Sequence, residues 1–136
     1  EWILDGAHNP DGIAALVETT RDMLGGRKVR LVFGVLADKQ VGPMLQQLVP
    51  IADRLVLVQP ADARGRDPGD LQALWPGPVD VAGSVAQALD RLHGTPGGPV
   101  LVTGSLALIG EARAWMDEKG MIPEDCSCRT TESAAS

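Results

Sequence analysis

Four short stretches of this chain carry side chains suited to chemistry. Asp5-Gly6-Ala7-His8-Asn9 sets a carboxylate, an imidazole and a helix-capping amide side by side. Asp38-Lys39 forms a second group, Asp62 and Arg64 a third, and Thr103-Gly104-Ser105 a fourth. Together they suit recognition of an anionic, hydroxyl-bearing ligand. Carboxylates accept hydrogen bonds from a ribose diol, arginine forks a carboxylate, and a helix mouth cradles anions.

Each residue also has an ordinary reading. Asp5 is either a ribose acceptor or a turn former bonded to its own backbone. His8, just before a helix start, either meets a bound anion or ties its ring to a carbonyl. Arg64 either forks a carboxylate or sits solvated in the long Pro60 to Pro68 loop, and Lys39 is either a counter-charge or a surface lysine. Ser105 caps a helix, a role compatible with binding at the same helix mouth. His93 falls at a helix C-terminus, where a cation suits the dipole, and is assigned no chemistry.

These stretches meet only if the elements before them end on one edge. Trp2-Ile3-Leu4 is a short apolar run stopped by Asp5-Gly6, and Asn9-Pro10 then supplies an N-cap with proline in the first helical turn. Ile13, Leu16, Val17 and Leu24 follow at helical spacing until Gly25-Gly26. Val29 to Leu36 is too apolar to have a wet face and reads as an interior strand. Val41, Met44, Leu45 and Leu48 form the next helical stripe, with Pro43 tolerable in its first turn. Leu55 to Val58 is a third strand, and Asp67-Pro68 opens a short helix to about Leu74. Val79 to Ala82 is a fourth strand, after which Ser84 caps a helix with Val85, Leu89 and Leu92 inward. Pro99 to Thr103 is the last strand, leading through Gly104-Ser105 into a helix to about Lys119.

Five strands alternating with five helices predict an α/β fold, a Rossmann-like open and mostly parallel sheet with helices on both faces. In such sheets ligands bind beyond the carboxyl ends of the strands, where the four polar stretches fall. Residues 1–122 read as one domain. The tail 123–136, rich in acidic and small polar residues without periodicity, reads as disordered.

Composition narrows the function. The 136 residues carry a formal charge of −6, no Tyr, one Phe and three Trp, which leaves neither a basic groove nor an aromatic platform for nucleic acid. No apolar run approaches the roughly 20 residues of a membrane span. Cys126 and Cys128, one residue apart in a polar tail, suit neither a core disulfide nor a zinc knuckle and fit a reducing, cytoplasmic setting. Glu1 rather than Met at the start reads as a piece of something longer. There is no G-x-G-x-x-G after a strand, no G-x-x-x-x-G-K-[ST], no G-x-S-x-G and no H-E-x-x-H. A self-contained NAD enzyme, P-loop ATPase, serine hydrolase or zincin is therefore disfavoured.

Leu4-Asp5-Gly6-Ala7-His8-Asn9-Pro10, Gly34-Val35-Leu36-Ala37-Asp38-Lys39, Arg64-Gly65 and Val102-Thr103-Gly104-Ser105-Leu106 together resemble the C-terminal domain of the folylpolyglutamate synthase/dihydrofolate synthase family, in the Mur ligase superfamily. The likeness runs from about Glu1 to Met121. It implies an ATP-dependent amide ligase that phosphorylates a carboxylate of a folate or dihydropteroate, after which the amine of L-glutamate displaces phosphate. A preceding domain, absent from this sequence, would carry the phosphate loop and the Mg2+ ligands. By the same resemblance Asp5 lies near the ATP ribose, and His8 is tied to glutamate or the reacting phosphate region. Ser105 and Arg64 are linked to glutamate, and Lys39 is a weaker substrate-binding match.

Two departures from the family pattern are Gln40, where an acid often follows Asp-Lys, and Ala107, where an aromatic often follows the serine by two. The rival readings are a Mur-type or cyanophycin-type amino-acid ligase domain and a non-catalytic ligand-binding module. Gly-Ala rather than Tyr-Ala within the first motif favours folate, by resemblance.

Overall fold

The computed structural model describes residues 2–34, 40–59 and 71–121. Five strands, β1 (Trp2–Leu4), β2 (Val29–Phe33), β3 (Ala52–Val58), β4 (Val79–Ala82) and β5 (Val100–Thr103), form one sheet in the order β1-β5-β2-β3-β4. Every strand pair in it is parallel. Four α-helices stand among the described residues: α1 (Pro10–Leu24), α2 (Val41–Leu48), α3 (Val85–His93) and α4 (Leu106–Glu118).

Side chains alternate across a strand, so each strand feeds two cores. Ile3, Leu31, Phe33, Leu55, Leu57 and Leu101 face α1 and α2, where Ile13, Leu16, Met44, Leu45 and Leu48 close over them. Leu4, Val32, Val56, Val58 and Val102 face the other way, against Val85, Leu89 and Leu92 of α3 and Leu108, Ile109 and Ala112 of α4. Burial on both faces explains why β2 shows no polar alternation beyond Arg30, and it confirms the doubly wound reading.

The helix limits follow local chemistry. Asn9 accepts the Gly12 N–H at 2.7 Å, Pro10 takes the first helical position of α1, and Gly25 ends it at φ 58. Ser84 and Ser105 cap α3 and α4 by accepting the Gln87 and Leu108 N–H groups, each at 3.1 Å.

Three details differ from the sequence-based limits. The second strand stops at Phe33, and residues 35–39 lie outside the described residues. The third strand starts at Ala52, three residues before Leu55, because Asp53 and Arg54 extend it where pattern alone reads a polar break. Arg54 crosses to β4 and donates from Nη2 to Asp80 Oδ2 at 2.8 Å. The helix expected from Asp67 is described only from residue 71, and its visible end is a 3-10 turn at Gln72–Leu74. The tail beyond Met121 also lies outside the described residues.

Candidate functional site: the carboxyl rim around β5

The chain leaves β1 through α1 on one face and leaves β5 through α4 on the other. Because β5 is inserted between β1 and β2, its carboxyl end is flanked on both sides by strands whose connections depart to the opposite face. A crevice at such a reversal is where open α/β sheets hold ligands.

Backbone contacts draw the loops together there. The Gly104 N–H donates to the Ala7 carbonyl at 3.1 Å, and the Gly34 N–H donates to the Thr103 carbonyl at 3.4 Å. The Asp5 N–H reaches the Val102 carbonyl at 3.1 Å. Gly104 adopts φ 120, and a Cβ there would strike the Gly34 carbonyl, so only glycine lets the β5 and β2 loops approach this closely. A Cβ on Gly6 would meet Leu106 Cδ2 at 2.5 Å, so a second glycine makes room for the first residue of α4.

Asp5 is 2% exposed, and its Oδ1 accepts the Ala7 N–H at 2.9 Å. It is therefore a loop builder, the ordinary role for an aspartate two residues before the amide it binds. Its carboxylate chemistry matches a ribose diol, but one oxygen is already committed inside the loop. His8 is half-buried, with Nδ1 3.1 Å from the Gly6 carbonyl. A carbonyl only accepts, so this contact assigns the proton to Nδ1 and leaves Nε2 as the nitrogen available for other work. Ser105, 1% exposed, holds the N-terminus of α4 with its Oγ. Ser105 and His8 each follow one partner of the Gly104–Ala7 hydrogen bond, which brings their backbones to the same edge of the sheet.

Of the residues singled out from sequence, Asp5, His8 and Ser105 thus share this edge. Lys39 and Arg64 lie outside the described residues. His93 is at the far edge, exposed, with its ring 6.0 Å from Trp2 and 5.7 Å from Trp115. Among the described residues no group of three His, Cys, Asp or Glu side chains is placed to hold a metal ion.

Sequence reasoning names Gly34 and Thr103 within their motifs but assigns neither a role of its own. Gly34 interrupts an otherwise apolar run, and that break was the available signal for a close backbone approach. Thr103, fully buried, places its Oγ1 3.4 Å from the Ala7 carbonyl.

A cavity of about 730 Å³ lies elsewhere, between α2 and the Ala73 to Pro76 turn, lined by Pro43, Gln46, Leu74 and Trp75. It touches none of the rim residues. Large concave sites are a useful default for ligand binding, but here the reversal of connections and the converging polar groups favour the rim.

A two-faced parallel sheet with its polar loops gathered around β5 defines an open α/β domain, and residues 1–106 match the family described as Mur ligase, glutamate ligase domain. The chain belongs to that family. It is 42% identical over 118 residues to a probable bifunctional folylpolyglutamate synthase/dihydropteroate synthase of Haloferax volcanii, covering 82% of this chain and 14% of that protein. It is 33% identical over 112 residues to the folylpolyglutamate synthase of Lacticaseibacillus casei, covering 82% of this chain and 26% of that one. Among solved structures, the folylpolyglutamate synthase of Thermotoga maritima superposes with a TM-score of 0.77 at 28% identity, over 90% of this chain and 29% of the other. The bifunctional folylpolyglutamate synthase/dihydrofolate synthase of Yersinia pestis, solved with AMPPNP and a manganese ion, gives 0.75 at 26% identity, over 84% of this chain and 28% of the other. The chain therefore spans between a seventh and a third of the length of these relatives. No described helix is long and apolar enough to cross a membrane.

Proposed function

We propose that this domain completes the nucleotide and glutamate sites of an ATP-dependent amide ligase that adds L-glutamate to a folate or dihydropteroate. The observation that carries this reading is the Gly104 to Ala7 hydrogen bond, which brings His8 and Ser105 to one rim in a chain of the glutamate ligase family. In this reading a second domain carrying the phosphate loop and the Mg2+ ligands meets the rim.

When bound, ATP supplies the phosphoryl group that turns the acceptor carboxylate into an acyl phosphate. The amine of glutamate then attacks that carbonyl, and phosphate leaves. What this chain contributes is position and charge. His8 presents Nε2 toward glutamate or the reacting phosphoryl region, where a neutral imidazole accepts a proton or a hydrogen bond. The mouth of α4, held by Ser105, offers backbone N–H groups to a glutamate carboxylate, and Arg64 is the second anchor for it. Asp5 keeps the β1 loop in shape and stands nearest the ATP ribose. Lys39 adds a positive charge on the substrate side.

The test is to assay the chain alone and the full-length polypeptide of its reading frame with MgATP, L-glutamate and either dihydropteroate or folate. The full-length protein is expected to release ADP and phosphate with formation of the amide, and the chain alone is expected to form none. Ligation by the 136-residue chain, or none by the full-length protein with either acceptor, overturns the proposal.

A further inference from the structure

The Gly6–Ala7 peptide is engaged at both ends by the polar residues that flank it. Its N–H, on Ala7, donates to Asp5 Oδ1 at 2.9 Å, and its carbonyl, on Gly6, accepts from His8 Nδ1 at 3.1 Å. A trans peptide is planar and points its N–H and C=O to opposite sides, so one rigid unit stands between the carboxylate and the imidazole. That unit is out of water: Asp5 is 2% exposed, Ala7 is 0% exposed, and Gly6 is buried.

Each contact alone has an ordinary use. An aspartate bonded to the amide two residues on shapes a turn, and a histidine bonded to a nearby carbonyl has its ring held in place. Their meeting on one peptide adds what neither supplies alone. A carboxylate drawing on the N–H polarises the amide, which makes the Gly6 carbonyl a better acceptor for the Nδ1–H, and the low local dielectric strengthens both bonds. Gly6 is outside the left-handed region, so its missing side chain serves space: it admits Leu106, 58% exposed, over the same peptide.

We propose that Asp5 is a positioning residue for His8, acting through the Gly6–Ala7 peptide. The carboxylate fixes the peptide plane, the Gly6 carbonyl fixes the ring proton on Nδ1, and the lone pair on Nε2 is left as the acceptor of the ring. No proton passes along this chain of bonds, because the amide carbonyl accepts the hydrogen bond without taking the proton. Asp5 thus does for His8, at one remove, what a directly bonded carboxylate does for the histidine of a hydrolase triad: it sets tautomer and orientation. This role is separate from any contact of Asp5 with a nucleotide ribose. It rests on the ligase reading only for what Nε2 acts upon.

The experiment has two parts. In the isotopically labelled 136-residue chain, long-range nitrogen–proton correlation reads the His8 ring at a pH where the imidazole is neutral. The proton is expected on Nδ1, and Asp5→Asn, which keeps the shape and removes the charge, should let both tautomers appear. His8→Ala, at a half-buried side chain, tests the link from the other end and keeps it testable if Asp5→Asn does not fold. There the Ala7 amide should exchange with solvent roughly threefold faster. In the full-length ligase, Asp5→Asn should lower kcat/KM for L-glutamate roughly fivefold, and the same substitution made on top of His8→Ala should change it by less than about twofold. A ring proton on Nε2, a tautomer indifferent to Asp5→Asn, an Ala7 amide indifferent to His8→Ala, or an equal loss with and without His8 overturns the proposal. A loss confined to the KM for MgATP overturns it as well, since a ribose contact alone accounts for that. If the unsubstituted full-length protein forms no amide, the ligase reading fails and the ring measurements still decide the link between Asp5 and His8.

Discussion

The two edges of the sheet solve the same problem in opposite ways. At the amino edge, Arg30 is 9% exposed and turns its guanidinium to backbone carbonyls of the domain. Its Nε donates to the Gly98 carbonyl at 2.8 Å, and its Nη1 donates to the Leu92 and Thr95 carbonyls at 2.9 and 2.7 Å. One cation thus ties β2 to the end of α3 and to the loop that leads into β5. Burial, and then the neighbouring Arg54, press its pKa below the usual guanidinium value, while Asp53 opposes them. At the carboxyl edge no described side chain gathers three carbonyls in this way, and Thr103 Oγ1 reaches one, that of Ala7. Glycines bring the backbones together, Asp5 and Ser105 hold their own loops, and His8 keeps one ring nitrogen outside the hydrogen bond to Gly6. The amino edge is tied by a side chain and the carboxyl edge by close backbone approach, and the proposed function assigns the ligand and the second domain to the latter.

The comparison is most easily broken at Gly104. Gly104→Ala combines a left-handed backbone with a collision against the Gly34 carbonyl. It is expected to cost about 3 kcal/mol or more in denaturant unfolding, the sum of backbone strain and overpacking. A loss below about 1 kcal/mol would mean that the β2 and β5 loops are not held this close.

Arg30→Met comes next. It removes three donors from largely buried carbonyls and should cost about 2 kcal/mol by the same measurement. Arg30→Lys should recover only part, since an ammonium lacks the planar fork that reaches three acceptors in two directions. Neither substitution touches the rim, so the glutamate dependence of the parent ligase should stay as it was.

The serine caps sharpen the contrast at smaller scale. Ser84→Ala and Ser105→Ala each remove an N-cap bond of 3.1 Å, and each is expected to cost about 1 kcal/mol. Equal stability losses with unequal effects on ligation would separate capping from binding.

The smallest effect is at Asp90, exposed on α3. The Trp115 indole N–H, donating at 2.8 Å, holds its carboxyl below the usual carboxylate range, with burial opposing and Lys119 assisting. A carboxyl with a depressed folded pKa stabilises the fold above its unfolded value of about 3.9 and loses that contribution as acid protonates it. Acid unfolding followed by Trp fluorescence should therefore be less steep below about pH 4 in Asp90→Asn.

Much of the fold was legible from sequence because each signal was local. Asn9-Pro10, Ser84 and Ser105 marked helix starts through bonds made within three residues, and two-sided burial showed as unbroken apolar runs. Arg30 was not legible, because its three partners lie 62 to 68 residues away and nothing beside it in the chain announces them. The strand order was equally hidden, since it depends on β5 returning between β1 and β2. At the rim, the residue types of Asp5, His8 and Ser105 could be read directly. The committed Oδ1 of Asp5, the Nδ1 tautomer of His8 and the need for Gly34 and Gly104 required the loops to be brought together.

The central claim is that His8 and Ser105 serve one glutamate site. The direct measurement is the KM for L-glutamate of the full-length ligase carrying His8→Ala, Ser105→Ala or Ser84→Ala. The account predicts a rise of roughly tenfold or more for the first two, the scale of one lost charge-assisted contact, and no change for the third. A glutamate KM unchanged in the rim variants, or raised equally by Ser84→Ala, would contradict it.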